Sequence, residues 1–464
     1  MEALPASLLY YTQQIAQFTS NQIKINPLNT NAMGSAVNTQ MRFSLPVNSI
    51  ANMKSLTLHT VMELTDQVVA GNAGNSGNWP VGGAGACLDR VTFSLGGVSL
   101  DNGSTPYHVV QAVRNNLKKG LQKNDSDDRT LAQSHAGASI TTAPSTAKRY
   151  KEFAVTNFCG FPECEPTYLD LNLIPECQIT LQAAPRHVIP VQGEGKGPYE
   201  VPTTAPQVDY RLTDCHMSLE VITIGSGMYD AITQRVMAER GSLDVPYKQF
   251  QVFSSDSDGQ SFNCTGSVSC MSLDRIMVVL QRNNARTGTG AELTTNSSTN
   301  YDKFNVQQPY VPCDDQVGTA SVQACHNFSS GGIREWQMTV NNAPFPLYRL
   351  KAGAESFAVA VNADDRSYSN DRGGLVTSPE AWAKNKWCAV QRFCFDEDPR
   401  RLSGTNLSAI NAQFKFSPTA ESAAPADAKG AIYPQAGAAQ RVLMITEQTS
   451  VLRIGGGRAV SVIA

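Results

Sequence analysis

The sequence predicts an all-β protein made of two consecutive eight-stranded jelly-roll sandwiches joined by a short helical connector. Three observations lead to this prediction. The chain has 464 residues, too many for one hydrophobic core and enough for two domains of roughly 200 residues. Charged residues make up only 17% of it, against about 25% in an average soluble domain, and Ser, Thr, Asn, Gln and Gly take their place. Short alternating segments, separated by turn residues, run through both halves.

A helical pattern interrupts the strands at the midpoint of the chain, and residues 226–246 are assigned to it as the connector. Met228, Ile232 and Val236 recur at four-residue spacing, as they would on one face of a helix. Gly241 is expected to end this helix, because glycine adopts the left-handed conformation that commonly follows a helix C-terminus.

The first sandwich is assigned to residues 39–225. Its clearest signal is the hairpin Leu88–Leu100, in which an alternating strand meets the turn Gly96-Gly97 and a short return strand. Tyr107–Leu121 is the one other helical segment predicted in the chain. Four of its apolar residues share a face: Val110, Val113, Leu117 and Leu121.

The second sandwich is assigned to residues 247–464, with long loop insertions and a C-terminal tail. Its elements follow the same order as those of the first half. Ser272–Gln281 corresponds to the earlier strand Ser55–Leu64, and Arg334–Pro346 corresponds to the earlier hairpin. Further strands are predicted at Phe357–Val361, Arg441–Glu447 and Ser450–Ile454.

Residues 1–38 are predicted to form an N-terminal arm outside the first sandwich, with the apolar stretch Leu8–Phe18 near its start. Two interpretations stay open: the arm packs on its own domain, or it docks on a neighbouring copy or an underlying surface. The polar insertions at 283–332 and 417–440 are long for a compact domain, which favours contacts with neighbouring copies. Acidic Glu2 stands where a secretory signal carries positive charge, so no signal peptide is predicted.

No constellation of residues indicates catalysis, cofactor binding or metal binding. The six histidines form no spaced metal-binding pair. Neighbouring residues on a strand point to opposite faces, so Cys215-His216 and Cys325-His326 cannot act as dyads. The eleven cysteines are expected to be reduced and mostly buried in an intracellular protein. We therefore predict a protein that is not an enzyme, with no catalytic, cofactor-binding or metal site and no cofactor.

The order of these elements resembles one protein family. The segments that carry the resemblance are the paired strand–turn–strand units Asp89–Asp101 and Arg334–Tyr348, the central helix Met228–Arg240, and Arg401–Phe416. In the last of these, Ser-Gly-Thr-Asn before an apolar strand is similar to the Ser-Gly-x-x-Asn turn of that family. They are similar to the double jelly-roll major capsid proteins of icosahedral DNA viruses. That group includes the adenovirus hexon and the capsid proteins of tailless membrane-containing phages, virophages and giant viruses.

The resemblance implies a structural protein of the virion, assembled inside the host cell, that forms homotrimers with a pseudo-hexagonal outline and tiles an icosahedral shell. The implied partners are further copies of this chain, in the trimer and in neighbouring capsomers, followed by penton and minor capsid proteins. An internal membrane is a further open alternative. No sequence-specific binding of nucleic acid is implied, and a net charge of −3 argues against a chain that coats nucleic acid.

Two other classes of protein are also built from β-sandwiches. A carbohydrate- or receptor-binding protein, such as a spike or a lectin, would offer aromatic rings that stack on sugars, and Trp382 and Trp387 are the best candidates. Trp336 falls in a predicted strand and is expected in the core. A β-rich glycoside hydrolase would need two carboxylates facing one cleft, and the Asp and Glu residues spread through the turns give that class no support.

Overall fold

The computed structural model describes most of both predicted sandwiches. The described residues are 18–118, 148–193, 209–224, 234–282, 328, 333–363, 382, 387–420 and 440–463, apart from gaps at 36–38, 48, 66–74, 78–79, 81–82, 102–104, 157, 186–187, 190, 236, 240, 258–263, 397 and 409–411.

The first half contains twelve strands and one helix in its described part. The strands are β1 (Phe18–Ile25), β2 (Met33–Gly34), β3 (Gln40–Ser44), β4 (Ile50–Thr65), β5 (Asn75–Gly77), β6 (Leu88–Leu95), β7 (Val98–Ser99), β8 (Lys148–Val155), β9 (Tyr168–Asp170), β10 (Cys177–Ala183), β11 (Val191–Gly193) and β12 (Asp209–Ile224). The helix α1 (Tyr107–Lys118) lies where the apolar stripe predicts it.

Two antiparallel sheets form the first sandwich. One has the order β1-β12-β4-β8, with β2 beside β12 and β9 beside β4. The other has the order β3-β10-β6-β7, and β5 pairs with β11 in a separate ribbon. Alternate residues of β6 and β10, such as Phe93 and Ile179, are fully buried, which is the pattern of strands with one face toward the interior of a sandwich.

The second half contains nine strands and one helix in its described part. They are β13 (Ser242–Ser257), β14 (Cys264–Val268), β15 (Leu273–Arg282), β16 (Ile333–Val340), β17 (Ala343–Lys351), α2 (Ala354–Asn362), β18 (Ala389–Arg392), β19 (Ala412–Ala420), β20 (Gln440–Gly455) and β21 (Val460–Ile463). The sheets have the orders β13-β20-β15-β18, with β21 beside β20, and β14-β19-β16-β17.

The two halves share one topology. In each half the last long strand lies between the first and the second long strands. Thus β12 lies between β1 and β4, and β20 lies between β13 and β15. The facing sheets, β3-β10-β6-β7 and β14-β19-β16-β17, match in the same way, and a helix follows β7 and β17 alike. The predicted all-β fold of two consecutive eight-stranded jelly rolls is confirmed.

The two predicted hairpins have the same turn geometry although their residues differ. The φ angles are +54° and +91° at Gly96 and Gly97, and +49° and +66° at Asn341 and Asn342. Positive φ at both central residues defines the two-residue turn whose twist matches that of the flanking strands, and Gly and Asn adopt it most readily. Asn341 Oδ1 also accepts a hydrogen bond of 2.9 Å from the backbone N–H of Gln413, which fixes the turn to β19.

The predicted N-terminal arm, residues 1–38, is too long. Phe18–Ile25 forms β1 and Met33–Gly34 forms β2, and both strands pair with β12 inside the first sandwich. Ile23 and Ile25 pack against the core. The Ser20 hydroxyl, earlier on the same strand, donates a 2.7 Å hydrogen bond to the carboxylate of Glu220. Polar residues of Phe18–Ile25 such as Ser20 therefore belong to an edge strand of the first sandwich and not to an arm. The rest of the stretch Leu8–Phe18 lies outside the described residues.

The connector is shorter at its C-terminal end than the predicted range 226–246. Gln234–Arg235 and Met237–Glu239 are helical, and β13 begins at Ser242. Gly241 ends the helix as predicted: its φ is +72°, and its N–H donates a 2.8 Å hydrogen bond to the carbonyl of Met237. Residues 225–233 of the predicted connector lie outside the described part of the chain.

The segment Phe357–Val361 is part of helix α2, and its prediction as a strand is wrong. Ser356 and Ala360, which are four residues apart, are both buried, as on one face of a helix. The indole N–H of Trp336 donates a 2.9 Å hydrogen bond to the Ser356 hydroxyl, which ties α2 to β16. The run Phe357–Val361 contains only apolar residues, so it shows neither the period of a helix nor that of a strand. The sequence alone therefore could not distinguish a helix from a strand here.

The strand β20 is continuous from Gln440 to Gly455, where the sequence predicts two strands with a break near Gln448. The polar run Thr446–Ser450, which suggested a turn, is buried, and two of its side chains form hydrogen bonds with the neighbouring strand β13. Gln249 Oε1 accepts hydrogen bonds of 3.1 Å from Gln448 Nε2 and 2.7 Å from the Ser450 hydroxyl. Paired polar side chains of this kind are stable inside a fold because each replaces water with a protein partner.

Nine of the eleven cysteines lie in the described residues, and all nine are buried and not bonded to one another. Burial raises the pKa of the Cys164 and Cys177 thiols to about 12. These two residues therefore stay protonated near neutral pH and behave as small core residues. The prediction of reduced, buried cysteines is confirmed for these nine, whereas Cys313 and Cys325 lie outside the described residues.

Candidate functional site at the junction of the two sandwiches

Conventional sites for chemistry are not found in the described residues. No group of three or more metal-ligating side chains comes together there, and no helix among the described elements is long and apolar enough to cross a membrane. The prediction of a protein without catalytic, cofactor or metal residues stays a prediction. The described residues do contain a set of charged side chains that are buried where the two sandwiches meet, and charged groups are costly to bury.

Arg114 lies at the centre of this junction. It belongs to α1 of the first sandwich, and its side chain is 3% exposed. One guanidinium nitrogen, Nη1, pairs with the carboxylate of Glu163, and the other, Nη2, lies 3.4 Å from Glu447 Oε1 on β20. The guanidinium carbon lies 5.0 Å from the centre of the Phe250 ring on β13, within the range of a cation–π contact. A single cation thus links the first sandwich to two strands of the second.

Glu447 also faces a second guanidinium. Its Oε2 lies 3.3 Å from Arg275 Nε, and both side chains are completely buried. Arg275 and Glu447 are direct partners in the ladder between β15 and β20. Burying such charges costs several kcal/mol for each ion, and only close pairing offsets that cost. With Glu163 on the far side of Arg114, two cations and two carboxylates form one connected cluster.

The charge on Arg114 is maintained by its partners. Burial by itself would lower the pKa of the guanidinium, but the carboxylates of Glu163 and Glu447 raise that pKa above its usual value. Arg114 is therefore cationic throughout the pH range in which proteins are folded, and the ionic link does not depend on a titration.

Neutral contacts surround the charged cluster. The rings of Phe161 and Tyr247 meet edge to face, with centroids 5.5 Å apart. The Tyr247 hydroxyl donates a 3.1 Å hydrogen bond to the Leu100 carbonyl, and the Glu165 N–H donates one of 2.9 Å to the Pro246 carbonyl. Leu100, Phe161 and Glu165 belong to the first sandwich, so packing and hydrogen bonds join it to β13, and the Arg114–Glu447 ion pair joins it to β20.

A second buried ion pair lies in the second sandwich next to the junction. Lys248 Nζ lies 2.8 Å from Asp274 Oδ2, and the same oxygen accepts a 2.6 Å hydrogen bond from the Thr449 hydroxyl. The Ser272 hydroxyl donates a 3.0 Å hydrogen bond to Asp274 Oδ1. Donors on β13, on β20 and at the residue before β15 converge on this one carboxylate of β15 and hold the three strands in register.

The turn Ser403–Asn406 packs against the start of β15. Its sequence, Ser-Gly-Thr-Asn, has one residue fewer than the Ser-Gly-x-x-Asn pattern to which it is compared. Thr405 and Leu273 exchange two backbone hydrogen bonds of 3.0 and 2.9 Å, and the Gly404 N–H donates a 2.9 Å bond to the Ser272 hydroxyl. A Cβ atom on Gly404 would lie 2.4 Å from the Leu273 carbonyl oxygen. The glycine of the motif is thus required by close backbone contact, and the turn supports the residues around Asp274.

The members of the charged cluster are not predicted from the sequence, although part of a signal is present. Arg275 directly precedes the apolar run Ile276–Leu280, and Glu447 follows the apolar run Val442–Ile445 by two residues. Charged residues are almost never fully buried unless they are paired. Two opposite charges next to apolar runs are therefore consistent with a buried pair, but the register that brings them together is known only from the fold.

The tryptophans proposed for sugar stacking are not available to a ligand. Trp382 and Trp387 are completely buried, as Trp336 is. Trp382 packs against Phe357 of α2 and against Trp387, with ring centroids 5.6 and 6.4 Å apart. The prediction that Trp336 is a core residue is confirmed, and the stacking role suggested for Trp382 and Trp387 is wrong. Trp79 lies outside the described residues.

Two histidines form a stacked pair on the outer face of the first sandwich. His59 on β4 and His216 on β12 are ladder partners, with ring centroids 4.9 Å apart and planes inclined by 13°. His59 Nε2 lies 2.9 Å from the Ser218 hydroxyl. Burial, His216 and Lys24 together lower the pKa of His59, in that order of importance, because each of them disfavours a charged imidazole.

Acid is therefore expected to weaken the first sandwich. The folded-state pKa of His59 lies below the unfolded value of about 6.5, so the unfolded chain binds the proton first as the pH falls. The contribution of neutral His59 to the stability of the fold is fully present above the pKa of the unfolded chain. It is lost as the pH falls through the lower pKa of the folded protein. Urea midpoints at pH 7.5 and 5.5 would test this, with His59→Gln as the comparison. An equal loss of stability in both proteins would contradict the assignment to His59.

Comparisons with known proteins find similarity in structure only. No protein-family model matches the sequence, and no curated protein matches it in sequence. The fold is similar to a structure of the PBCV-1 virus capsid, with a TM-score of 0.59 and 12% identity over 98% of this chain and 99% of that one. The Faustovirus major capsid protein matches with a TM-score of 0.55 and 10% identity, over 97% and 93% of the two chains. The Sputnik virophage structure matches with a TM-score of 0.56 and 8% identity, over 100% and 92%. The chain has the double jelly-roll fold of these capsid proteins along nearly its whole length.

Proposed function

We propose, from this double jelly-roll fold, that the protein is the major capsid protein of a virus and acts as a structural component of its shell. Three copies associate into a capsomer of six sandwiches, and capsomers tile an icosahedral surface. The protein catalyses no reaction. Its partners are other copies of itself and the minor proteins that close the shell, and it is assembled inside the host cell into the virion.

The observation that carries this proposal is the duplicated topology, joined into one unit by a buried junction. Two sandwiches held by Arg114 and Glu447 present two similar blocks in a fixed relation. Three such units can approximate a hexagon, and a hexagonal outline tiles a surface without gaps. Similarity in fold over at least 97% of the chain to viral capsid structures supports the same role.

Electron microscopy of the purified protein tests the proposal. At high protein concentration we expect particles with six lobes and a roughly hexagonal outline, and we expect ordered arrays or shells as the concentration rises. Particles with two lobes at every concentration and ionic strength would contradict a role as a capsomer. Such an outcome would favour a binding protein that works as a single chain.

A further inference from the structure

The junction within the chain joins two different kinds of surface. The first sandwich contributes the side that carries the end of β7 and helix α1, through Leu100 and Arg114. The second contributes one face of its sheet β13-β20-β15-β18, where Phe250, Glu447 and Arg275 lie side by side in the ladder.

This face of the second sandwich is its outer face. Met444, three residues before Glu447 on β20, lies against Gly266 of the opposing sheet. Residues three apart on a strand point to opposite sides, so Glu447 points away from the interior of its own sandwich. The chain's own contact is therefore the helix side of one sandwich against the outer sheet face of the next.

Among the described residues, the junction contacts given above do not involve the equivalent pair of surfaces. In the second sandwich, β17 and α2 occupy the place that β7 and α1 occupy in the first. In the first sandwich, the sheet β1-β12-β4-β8 occupies the place of β13-β20-β15-β18. If the same contact were made once more, the β17 side of one copy would meet the outer face of the first sheet in another copy.

The β17 side carries the three most exposed large apolar side chains of the described residues. Phe395 is 91% exposed, Leu347 is 86% exposed and Tyr348 is 63% exposed. We call these three residues the apolar ridge. Exposed apolar side chains that cluster in this way commonly mark a protein–protein contact.

The backbone under the apolar ridge is anchored at its start by a side-chain hydrogen bond. Along β16, Trp336 faces Leu350 but Met338 faces Phe345, so residues 346–349 bulge out of the ladder. Gln337 Nε2 donates a 3.0 Å hydrogen bond to the Pro346 carbonyl at the start of this bulge. A held backbone under exposed apolar side chains reduces the entropy lost when a partner binds.

Phe395 is joined to the same surface by neighbouring rings. Phe393 and Phe345 meet edge to face, with centroids 5.4 Å apart, so the segment of Phe395 lies beside β17. The Phe395 carbonyl accepts a 3.2 Å hydrogen bond from Arg392 Nη2. Pro344 and Pro346 lack the N–H that a further strand would need, so contact here is made by side chains and not by extension of the sheet.

The outer face of the first sheet offers an ordered polar platform. Glu220 accepts hydrogen bonds of 2.7 Å from both Ser20 and Asn52. The stacked rings of His59 and His216 lie on the same face, and Lys24 is exposed beside them. The side chains are fixed on one another across β1, β12 and β4, so the face changes little when it is covered.

We infer that the apolar ridge of one copy docks on the outer face of sheet β1-β12-β4-β8 of a second copy, which repeats between copies the contact that joins the two sandwiches within the chain. This inference rests on the proposed function and names the surfaces that would build the capsomer. The two surfaces differ, so the contact is heterologous and copies associate head to tail into a closed ring. Three copies contribute six sandwiches to such a ring.

Two variants with different defects test the pairing. Leu347→Ser/Phe395→Ser removes two of the three side chains of the apolar ridge. Lys24→Glu/Thr57→Glu alters the platform, where Thr57 on β4 is the ladder partner of Ser218. Each alone should remain a monomer of 50.0 kDa at a concentration where the unaltered protein is trimeric, with association weakened by at least about tenfold. Mixed in equal amounts they should form a dimer of about 100 kDa and no trimer, because only one intact contact can form. Leu28→Ser/Val47→Ser, which removes side chains of 60% and 51% exposure in the loops after β1 and β3, should associate normally.

Chemical labelling of Lys24 with an amine reagent gives a readout that needs only the ridge variant to fold. Lys24 should be protected in the trimer of the unaltered protein and at least about tenfold more reactive in the ridge variant. Equal reactivity in the two, or trimers formed by both altered proteins, would overturn the inference while leaving the proposed function intact. An unaltered protein that stays monomeric would instead overturn the proposed function.

Discussion

Replacing Glu447 by alanine is expected to lower the free energy of unfolding by about 3–5 kcal/mol. The substitution removes a carboxylate that faces both Arg114 and Arg275, and the Arg275 side chain is completely buried. Neither guanidinium can lose its charge, so the cost appears as destabilisation and not as a change of protonation. Urea unfolding followed by circular dichroism would measure the loss, with the shift in midpoint as the primary result.

Two comparisons separate the buried charge from other effects of this substitution. Arg453→Ala breaks the pair with Asp244, whose side chains are about half exposed, and should cost less than about 1 kcal/mol. A protein with methionine at positions 114, 275 and 447 should recover much of the stability lost in Glu447→Ala, because buried ion pairs can often be replaced by apolar residues. If Glu447→Ala costs no more than Arg453→Ala, the cluster does not hold the sandwiches together.

Replacing Gly404 by alanine is the second change with a large expected effect. The new Cβ would lie 2.4 Å from the Leu273 carbonyl oxygen and 2.5 Å from the Ser272 hydroxyl. These atoms cannot move freely, because Leu273 and Thr405 are joined by two backbone hydrogen bonds. A forced separation of the two segments should destabilise the protein by roughly 1–3 kcal/mol and disturb the residues around Asp274. The thermal midpoint should fall accordingly.

Gly456 provides the matched control for this change. A Cβ at Gly456 would meet no atom within 4 Å, so Gly456→Ala should alter stability by no more than about 0.5 kcal/mol. Similar stability of Gly404→Ala and Gly456→Ala would show that the Ser403–Asn406 turn is not tightly packed on β15.

The parts of the fold that the sequence predicts well are those specified by local physics. The turns Gly96-Gly97 and Asn341-Asn342 need positive φ, which few residues adopt, so both hairpins can be located from their residues. The end of the connector at Gly241 follows from the same conformational freedom. The apolar stripe of α1 repeats over more than two turns, and the helix is recognisable without its neighbours.

The features that the sequence does not predict depend on distant partners. Helix α2 is set by packing around Trp336 and Trp382, and its own residues give no clear period. The polar run in β20 looks like a turn until Gln249 is placed beside it. The pairing of Arg114 with Glu447 spans two domains, so only the arrangement of the two sandwiches brings the charges together.

The same distinction explains why recognition of the fold succeeds where recognition of the site does not. Repetition of element order is visible along the chain and points to two jelly rolls. The surfaces that join sandwiches, within the chain or between copies, consist of residues from separate strands. Neither the apolar ridge nor the platform with His59 and His216 has a continuous signature in the sequence, since each is assembled by the register of the sheets.

The native mass of the purified protein in solution is the most direct test of the proposed trimer, and light scattering coupled to size-exclusion chromatography would measure it. We expect a stable species of about 150 kDa, three chains of 50.0 kDa, that persists on dilution and in moderate salt. A single species of 50.0 kDa at every concentration would contradict the proposed capsomer.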